Sequence, residues 1–261
     1  MLPLVIPIDD ERSQQNLFLT FKAASIVIAK LQTDVKRLVD GPTPPEIPLK
    51  LRKLPSITKI KAFPVPTSPS PPTHISFKLL SRYDEKIAYR DLYHALVDST
   101  GEEIYVKFAR HYSLDLHVFC ANQGLAPTLL GFERLTGGWF AIAMEKVDTV
   151  KLHEIESFSE ELDIWKKEIQ ALVKDFHQEG LVHGDLRLAN FIFTRATPHK
   201  MLLVDFDWGG KVGSAFFPPG ELHEELQVDR EGCLDRVITV QHDDEVLARM
   251  FARLSRVSSG P

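Results

Sequence analysis

The stretch Leu181-Val-His-Gly-Asp-Leu-Arg-Leu-Ala-Asn-Phe-Ile192 is followed by Asp205-Phe-Asp-Trp208, and these two segments decide the fold. Asp185 and Asn190 stand in the first segment and Asp205 in the second. Carboxylate and amide oxygens are the ligands that Mg²⁺ prefers. In phosphoryl transfer, one carboxylate orients the attacking hydroxyl, while an amide and a second carboxylate hold the metal on the phosphates. These residue types at this spacing predict a site for a magnesium-bound nucleotide.

A lysine on an earlier strand adds the cation that such a site needs. The segment Glu103–Ala109 alternates apolar and polar side chains, which is typical of a strand. Alternation puts Tyr105 and Lys107 on one face and the apolar residues on the other. The sequence therefore predicts a lysine on a strand that precedes both motifs.

Strand-like segments come first in this part of the chain and helical ones follow, which favours an α+β fold in two lobes. The predicted strands are Ile75–Leu80, Ala88–Val97, Glu103–Ala109, Trp139–Met144, Phe191–Thr194 and Met201–Val204. The predicted helices are Leu114–Gly124, Ser159–Gln178 and Asp243–Leu254.

The N-terminal part has a different composition. An apolar stripe at helical spacing predicts a helix from Ser13 to Val39, so residues 1–41 form a helical arm. Ten of the 17 prolines lie between Pro42 and Pro72, which predicts an extended, basic linker over residues 42–73. The arm packs on the main domain or docks a protein partner, and the linker is a spacer or a partner-binding segment.

Charge and composition exclude several functional classes of protein. The chain has 261 residues, 31 basic and 36 acidic, giving a net charge of −5, so no global basic field exists to hold nucleic acid or an anionic membrane. We find no signal peptide and no apolar run of membrane-spanning length. Two distant cysteines favour a reducing compartment. We expect an intracellular protein, cytoplasmic or nuclear, without nucleic-acid or membrane partners.

From about Ile75 to its end, the chain resembles the protein-kinase-like superfamily, in particular the fungal-type kinase-like proteins with HGDLRxxN and DFDW motifs. The segments that carry the resemblance are Val106-Lys-Phe108, Leu125-Ala-Pro-Thr-Leu-Leu130, His183–Asn190 and Asp205–Trp208. Aminoglycoside and choline phosphotransferases and Rio-type kinases share the HGD form. The resemblance implies a bilobal α+β kinase-like domain over residues 74–261 with a minimal C-terminal lobe, preceded by the helix and the linker.

The resemblance also implies roles for single residues in the catalytic segments. Asp185 would be the catalytic base, and Arg187 would face the transferred phosphate. Asn190 and Asp205 would coordinate Mg²⁺.

The remaining roles concern ATP itself. Lys107 would reach the α- and β-phosphates, with Asp115 as its partner on the following helix. Glu145 and Val147 would meet the adenine through their backbone groups.

Three features depart from the kinase pattern. The chain has no glycine between Ile75 and Ser99, where a glycine-rich loop normally covers the phosphates. Tyr105 stands where kinases usually keep a small residue over the adenine. Asp115 is one methylene shorter than the usual glutamate.

These observations leave three functions open. The first is an ATP- and Mg²⁺-dependent phosphotransferase acting on a hydroxyl, by resemblance a protein Ser or Thr. The second is a pseudokinase or nucleotide-binding scaffold. The third is a small-molecule kinase of the aminoglycoside or choline phosphotransferase type.

Overall fold

The computed structural model describes residues 56–63, 73–83, 91–156, 158–218, 222–226 and 236–258, together with Ser25 and Ile28. The chain divides into two units, Met1–Arg52 and Lys53–Pro261. In the first unit, Ser25 and Ile28 are helical, and the rest of the predicted arm lies outside the described residues. The linker residues 42–55 and 64–72 lie outside them as well.

An antiparallel sheet of six strands forms the first half of the second unit, with strand order β1-β2-β3-β4-β6-β5. Its strands are β1 (Lys59–Lys61), β2 (His74–Arg82), β3 (Leu92–Val97), β4 (Glu103–Ala109), β5 (Leu129–Arg134) and β6 (Phe140–Glu145). Helix α1 (Leu114–Asn122) connects β4 to β5. Of the predicted strand Ala88–Val97, the structure shows Leu92–Val97 as strand β3. Residues 84–90 lie outside the described part of the chain.

Every second side chain of β4 points into the core. Its inward side chains are fully buried in an apolar cluster, and the register pairs Lys107 with Leu92 on β3 and with Ile142 on β6. The same alternation leaves Tyr105 and Lys107 on the opposite face of the sheet. The predicted division of β4 into two faces is confirmed.

Strand β1 corrects the predicted boundary of the linker. It lies within residues 42–73, yet it pairs with β2, and Ala62 forms a bridge with Gly131 of β5. Ile60 is fully buried, and a Cβ on Gly131 would lie 2.9 Å from its side chain. Prolines precede and follow this strand in the sequence. They are compatible with it because the strand is short and pairs only with the edge strands β2 and β5.

Helices and short strands form the second half of the unit. Its longer helices are α2 (Phe158–Gln178) and α3 (Val240–Ser258), and its strands are β7 (Thr149–Val150), β8 (Leu181–Val182), β9 (Phe191–Thr194), β10 (Met201–Leu203) and β11 (Gly210–Lys211). The apolar stripe of α2 is buried from Leu162 to Phe176 in the largest apolar cluster, which also contains the inward side of α3. This packing brings the loops after β8 and β10 to one region of the molecule.

Among the described residues, we find no helix that is both long enough and apolar enough to span a membrane.

Candidate active site

Lys107 joins the sheet to the second motif. Its Nζ lies 2.6 Å from Oδ1 of Asp205 and 2.6 Å from Oδ1 of Asp207, although these residues are about a hundred positions away in the sequence. Burial lowers the pKa of Lys107, but the two carboxylates raise it more, so its pKa lies above the ordinary value. The ammonium group therefore stays charged between two carboxylates.

The carboxyl group of Asp207 has a perturbed pKa. Burial raises its pKa to about 6, against the lowering effect of Lys107. Two carboxylates therefore share one ammonium group, and their oxygen atoms are the type of ligand that a hard cation takes.

Backbone geometry distinguishes Asp205 as well. Within the described part of the chain it is the only residue other than glycine with a positive φ, +67°. This conformation is costly and persists where surrounding contacts enforce it. Here the next residue, Phe206, is buried, and its carbonyl accepts the N–H of Ser113 just before α1. Packing of Phe206 thus fixes the direction of the Asp205 carboxylate.

His117 packs against the ring of Phe206. The two rings are stacked at 4.6 Å with an interplanar angle of 13°. His117 Nε2 donates to the carbonyl of Pro127 at 2.7 Å, which leaves Nδ1 to accept the hydroxyl of Tyr112 at 2.7 Å. Burial lowers the pKa of His117 to about 4, so the ring is neutral at neutral pH.

The prediction that Asp115 is the partner of Lys107 is wrong. Asp115 is exposed on α1, and the described carboxylates at Lys107 are those of Asp205 and Asp207. Helical periodicity explains the difference, because the buried face of α1 carries Leu116, His117 and Cys120. The sequence favoured a partner on the helix and missed Asp207, which lies beside Asp205 in the same motif.

Asp185 lies in the loop after β8 and is 7% exposed. Arg187 binds it with two parallel hydrogen bonds, from Nε at 2.5 Å and from a terminal nitrogen at 2.8 Å. Asn190, in a 3₁₀ turn, donates its Nδ2 to the Asp185 carbonyl at 2.9 Å. The three residues predicted from the first motif therefore form one hydrogen-bonded group.

Asp243 holds the backbone of this loop, a role that the sequence did not reveal. Its carboxylate is fully buried and accepts the N–H groups of His183 and Gly184, both at 2.7 Å. His177 of α2 lies 3.3 Å from the same carboxylate. Asp243 and Asp244 are alike in the sequence, and only the tertiary packing distinguishes the buried Asp243 from its exposed neighbour Asp244.

Gly184 is required by the same arrangement. Its φ is +83°, and a Cβ there would lie 2.5 Å from the side chain of Ile238. A larger residue would therefore displace the loop or Ile238.

The predicted adenine-binding segment follows β6. The N–H of Glu145 donates to Thr128 at 3.0 Å, and its side chain accepts the N–H of Thr128 at 2.9 Å. These bonds fix Glu145 at the end of the sheet, and Val147 follows in a half-buried position. Their contact with adenine stays a prediction.

Aromatic rings cover part of the face that carries Lys107. The ring of Tyr105 lies 4.9 Å from that of His94 and 5.4 Å from that of Tyr83. Burial raises the pKa of Tyr105 to about 12, so the phenol is neutral. Tyr105 is thus held by its neighbours on the face predicted to meet the nucleotide.

Comparison with solved structures decides the fold. A kinase, PK-1 of Cydia pomonella granulovirus, superposes with a TM-score of 0.56 at 15% identity, over 69% of each chain. The chain has a protein-kinase-like fold. The Rad53 kinase domain, solved in complex with AMPPNP, is less similar, with a TM-score of 0.38, 18% identity and 51% of each chain covered. No family model and no curated protein matches the sequence.

The kinase-like fold confirms the coarse prediction made from the motifs. The structure brings together Lys107 with Asp205, and Asp185 with Arg187 and Asn190. Their catalytic roles stay predictions.

Proposed function

We propose that this chain is an ATP- and Mg²⁺-dependent phosphotransferase that moves the γ-phosphoryl group to a protein Ser or Thr hydroxyl. The observation that carries the proposal is the ion pair between Lys107 and Asp205, because it joins a sheet lysine to a strained motif carboxylate within a kinase-like fold. Purely structural ion pairs do not need a strained backbone at the carboxylate.

The donor set fits magnesium. Asp205 and Asn190 offer oxygen atoms, and Asp207 adds a third oxygen ligand beside Lys107. Within the described part of the chain, no group of three or more His, Cys, Asp or Glu could hold a metal ion by itself. Bound Mg²⁺ would neutralise charge on the nucleotide phosphates.

The acceptor side depends on Asp185 and Arg187. The guanidinium group binds both carboxylate oxygens and so fixes the orientation of Asp185. An oriented carboxylate can position the acceptor hydroxyl and take its proton. Arg187 adds positive charge where the transferred phosphoryl group gains negative charge.

A second candidate function is a nucleotide-binding scaffold without turnover. The specific observation in its favour is the aromatic cluster of Tyr83, His94 and Tyr105 on the face predicted to meet the nucleotide. A scaffold would bind Mg-ATP weakly and transfer no phosphoryl group.

Turnover of Mg-ATP in the presence of a mixed Ser/Thr peptide library separates the two candidates. We expect Asp185→Asn to lower phosphate transfer about a thousandfold, because a catalytic base is lost. The matched control is Asp163→Asn, an exposed aspartate on α2. Transfer at the background level by the wild type and both variants would contradict the enzyme and leave the scaffold.

A thermal-shift titration with Mg-ATP adds a test of binding. A ligand that binds only the folded state must raise the unfolding temperature. No shift at any nucleotide concentration would contradict both candidates.

A further inference from the structure

Lys107 contacts two carboxylates that have different tasks in the proposed reaction. Its Nζ lies 2.6 Å from Oδ1 of Asp205, which is a predicted ligand of Mg²⁺. The metal and the lysine therefore need the same carboxylate. Oδ1 of Asp207 lies at the same distance of 2.6 Å from Nζ and is a buried atom. A buried carboxylate oxygen is costly without a charged partner, so Asp207 and Lys107 stabilise each other.

Helix α1 contacts the second motif on both sides of Asp207. Before Asp207, the carbonyl of Phe206 accepts the N–H of Ser113 at 2.9 Å. After it, the chain at Gly209 approaches the helix so closely that a Cβ there would lie 2.8 Å from the side chain of Leu116 and 3.1 Å from that of Ser113. The helix thus fixes the backbone that carries the Asp207 carboxylate, although it brings no carboxylate of its own to Lys107.

The other described contact of Lys107 is aromatic. Its Nζ lies 5.9 Å from the centre of the Tyr112 ring, and its side chain is only 15% exposed. A neutral ring attracts an ammonium group more weakly than a carboxylate in direct contact does. The position of the Lys107 ammonium therefore depends chiefly on Asp205 and Asp207.

We propose that Asp207 is the positioning residue of Lys107, and that it holds the ammonium group toward the nucleotide phosphates when Asp205 is engaged by Mg²⁺. The inference rests on the proposed function, since it concerns how that enzyme binds the phosphates of ATP. Asp207 takes the place that the resemblance assigned to Asp115. A shift of α1 then affects Lys107 only through the motif that the helix contacts.

A double-mutant cycle tests whether Asp207 acts through Lys107. The measured quantity is the dissociation constant of a nonhydrolysable Mg-ATP analogue, obtained by calorimetric titration. We expect Asp207→Asn to weaken binding about tenfold in the wild type but by less than about twofold in Lys107→Met, because the group that Asp207 positions is then absent. An equal loss in both backgrounds would overturn the inference, since Asp207 would then act on the metal or the nucleotide directly.

Asp115→Asn is the matched control in the same cycle. Asp115 is exposed on α1, so its variant should bind the analogue within about twofold of the wild type in both backgrounds. A loss in Asp115→Asn that disappears in Lys107→Met would assign the positioning of Lys107 to Asp115 and overturn the inference.

Acylation of Lys107 gives a readout without nucleotide and without the Lys107→Met protein. The rate of labelling by an amine-reactive ester is followed by mass spectrometry. We expect Asp207→Asn to raise this rate about fivefold, because the ammonium group loses one of its two carboxylate partners. Asp115→Asn should stay within about twofold of the wild type. An unchanged rate in Asp207→Asn would overturn the inference even where Lys107→Met fails to fold.

The wild type separates failure of the inference from failure of the proposed function. A saturating Mg-ATP analogue should slow the labelling of Lys107 in the wild type, because phosphates would cover the ammonium group. No binding and no protection in the wild type would contradict the proposed function, and the inference with it. Binding by the wild type with the same affinity in Asp207→Asn would overturn the inference alone.

Discussion

Around the loop of residues 181–192, neutral backbone groups donate to one buried carboxylate, that of Asp243, whereas around Lys107 two carboxylates share one ammonium group. We call these the loop region and the lysine region. In the loop region, the buried Asp243 carboxylate has its donors, the N–H groups of His183 and Gly184, within the fold. In the lysine region, the side chains of Asp205 and Asp207 are each 31% exposed. The difference indicates that Asp243 stabilises the backbone of the loop, whereas the carboxylates of the lysine region remain accessible to a ligand.

The largest expected effect concerns the loop region. Asp243→Ala would leave two buried N–H groups without an acceptor and should lower the free energy of unfolding by about 3–5 kcal/mol. Denaturant unfolding measures the change. Asp244→Ala, whose side chain is 61% exposed, is the control and should stay within about 0.5 kcal/mol of the wild type. Similar losses for both variants would remove the contrast between the two regions.

The second largest effect concerns the pH dependence of stability, which we expect from His117, the residue stacked on Phe206. Burial lowers the pKa of His117 from 6.5 to about 4, so between these values the unfolded chain binds a proton that the folded chain does not. This contribution to stability is present above pH 6.5 and is lost as the pH falls toward 4, by about 3 kcal/mol in all.

Unfolding free energies measured across this range should therefore fall with acid in the wild type. His117→Phe keeps a ring against Phe206 but removes the titrating group, so its acid dependence should be shallower. Identical pH profiles for the two proteins would show that His117 does not titrate in this way.

A smaller effect is expected in the lysine region. Asp207→Asn removes one of the two charged partners of Lys107 and should lower kcat/KM for ATP about tenfold. Asp115→Asn should change kcat/KM by less than about twofold, because exposed charges away from a site contribute little. A larger loss of kcat/KM in the Asp115 variant would support Asp115 as the partner of Lys107. It would also show that the observed contact between Lys107 and Asp207 does not affect turnover.

The smallest effect is expected for the aromatic cluster. Tyr105→Ala opens the face that carries Lys107 and should tighten Mg-ATP binding about threefold, since a bulky ring is removed. Calorimetric titration measures the dissociation constant, with Tyr83→Ala at the half-exposed edge of the cluster as the control. Weaker binding by the Tyr105 variant would mean that the ring stacks on the base.

The sequence predicted the parts whose pattern is local. The alternation in Glu103–Ala109 gave β4 with its observed ends, and the apolar stripe after Ser159 gave α2 to within one residue. The two motifs also identified the residues that meet at Asp185 and at Asp205. In these cases the chemistry and the spacing lie within one short segment.

The parts that were missed depend on distant packing. Strand β1 has one buried residue, Ile60, between two exposed lysines and near many prolines, which no periodicity reveals. Asp243 and Asp244 are identical in type, and only the packing of α3 under the loop buries one of them. The contact of Asp207 with Lys107 joins two distant segments, so no local pattern identifies it.

The short strand β1 has a consequence for whether other chains can pair with this sheet. It covers the edge of β2, and the bridge from Ala62 to Gly131, with the N–H of Phe63 donating to Leu130 at 2.8 Å, covers the edge of β5. Exposed strand edges are templates on which other chains can pair and aggregate. A shortened chain beginning at His74 would uncover both edges at once. We expect it to form intermolecular sheets where the longer chain remains dispersed.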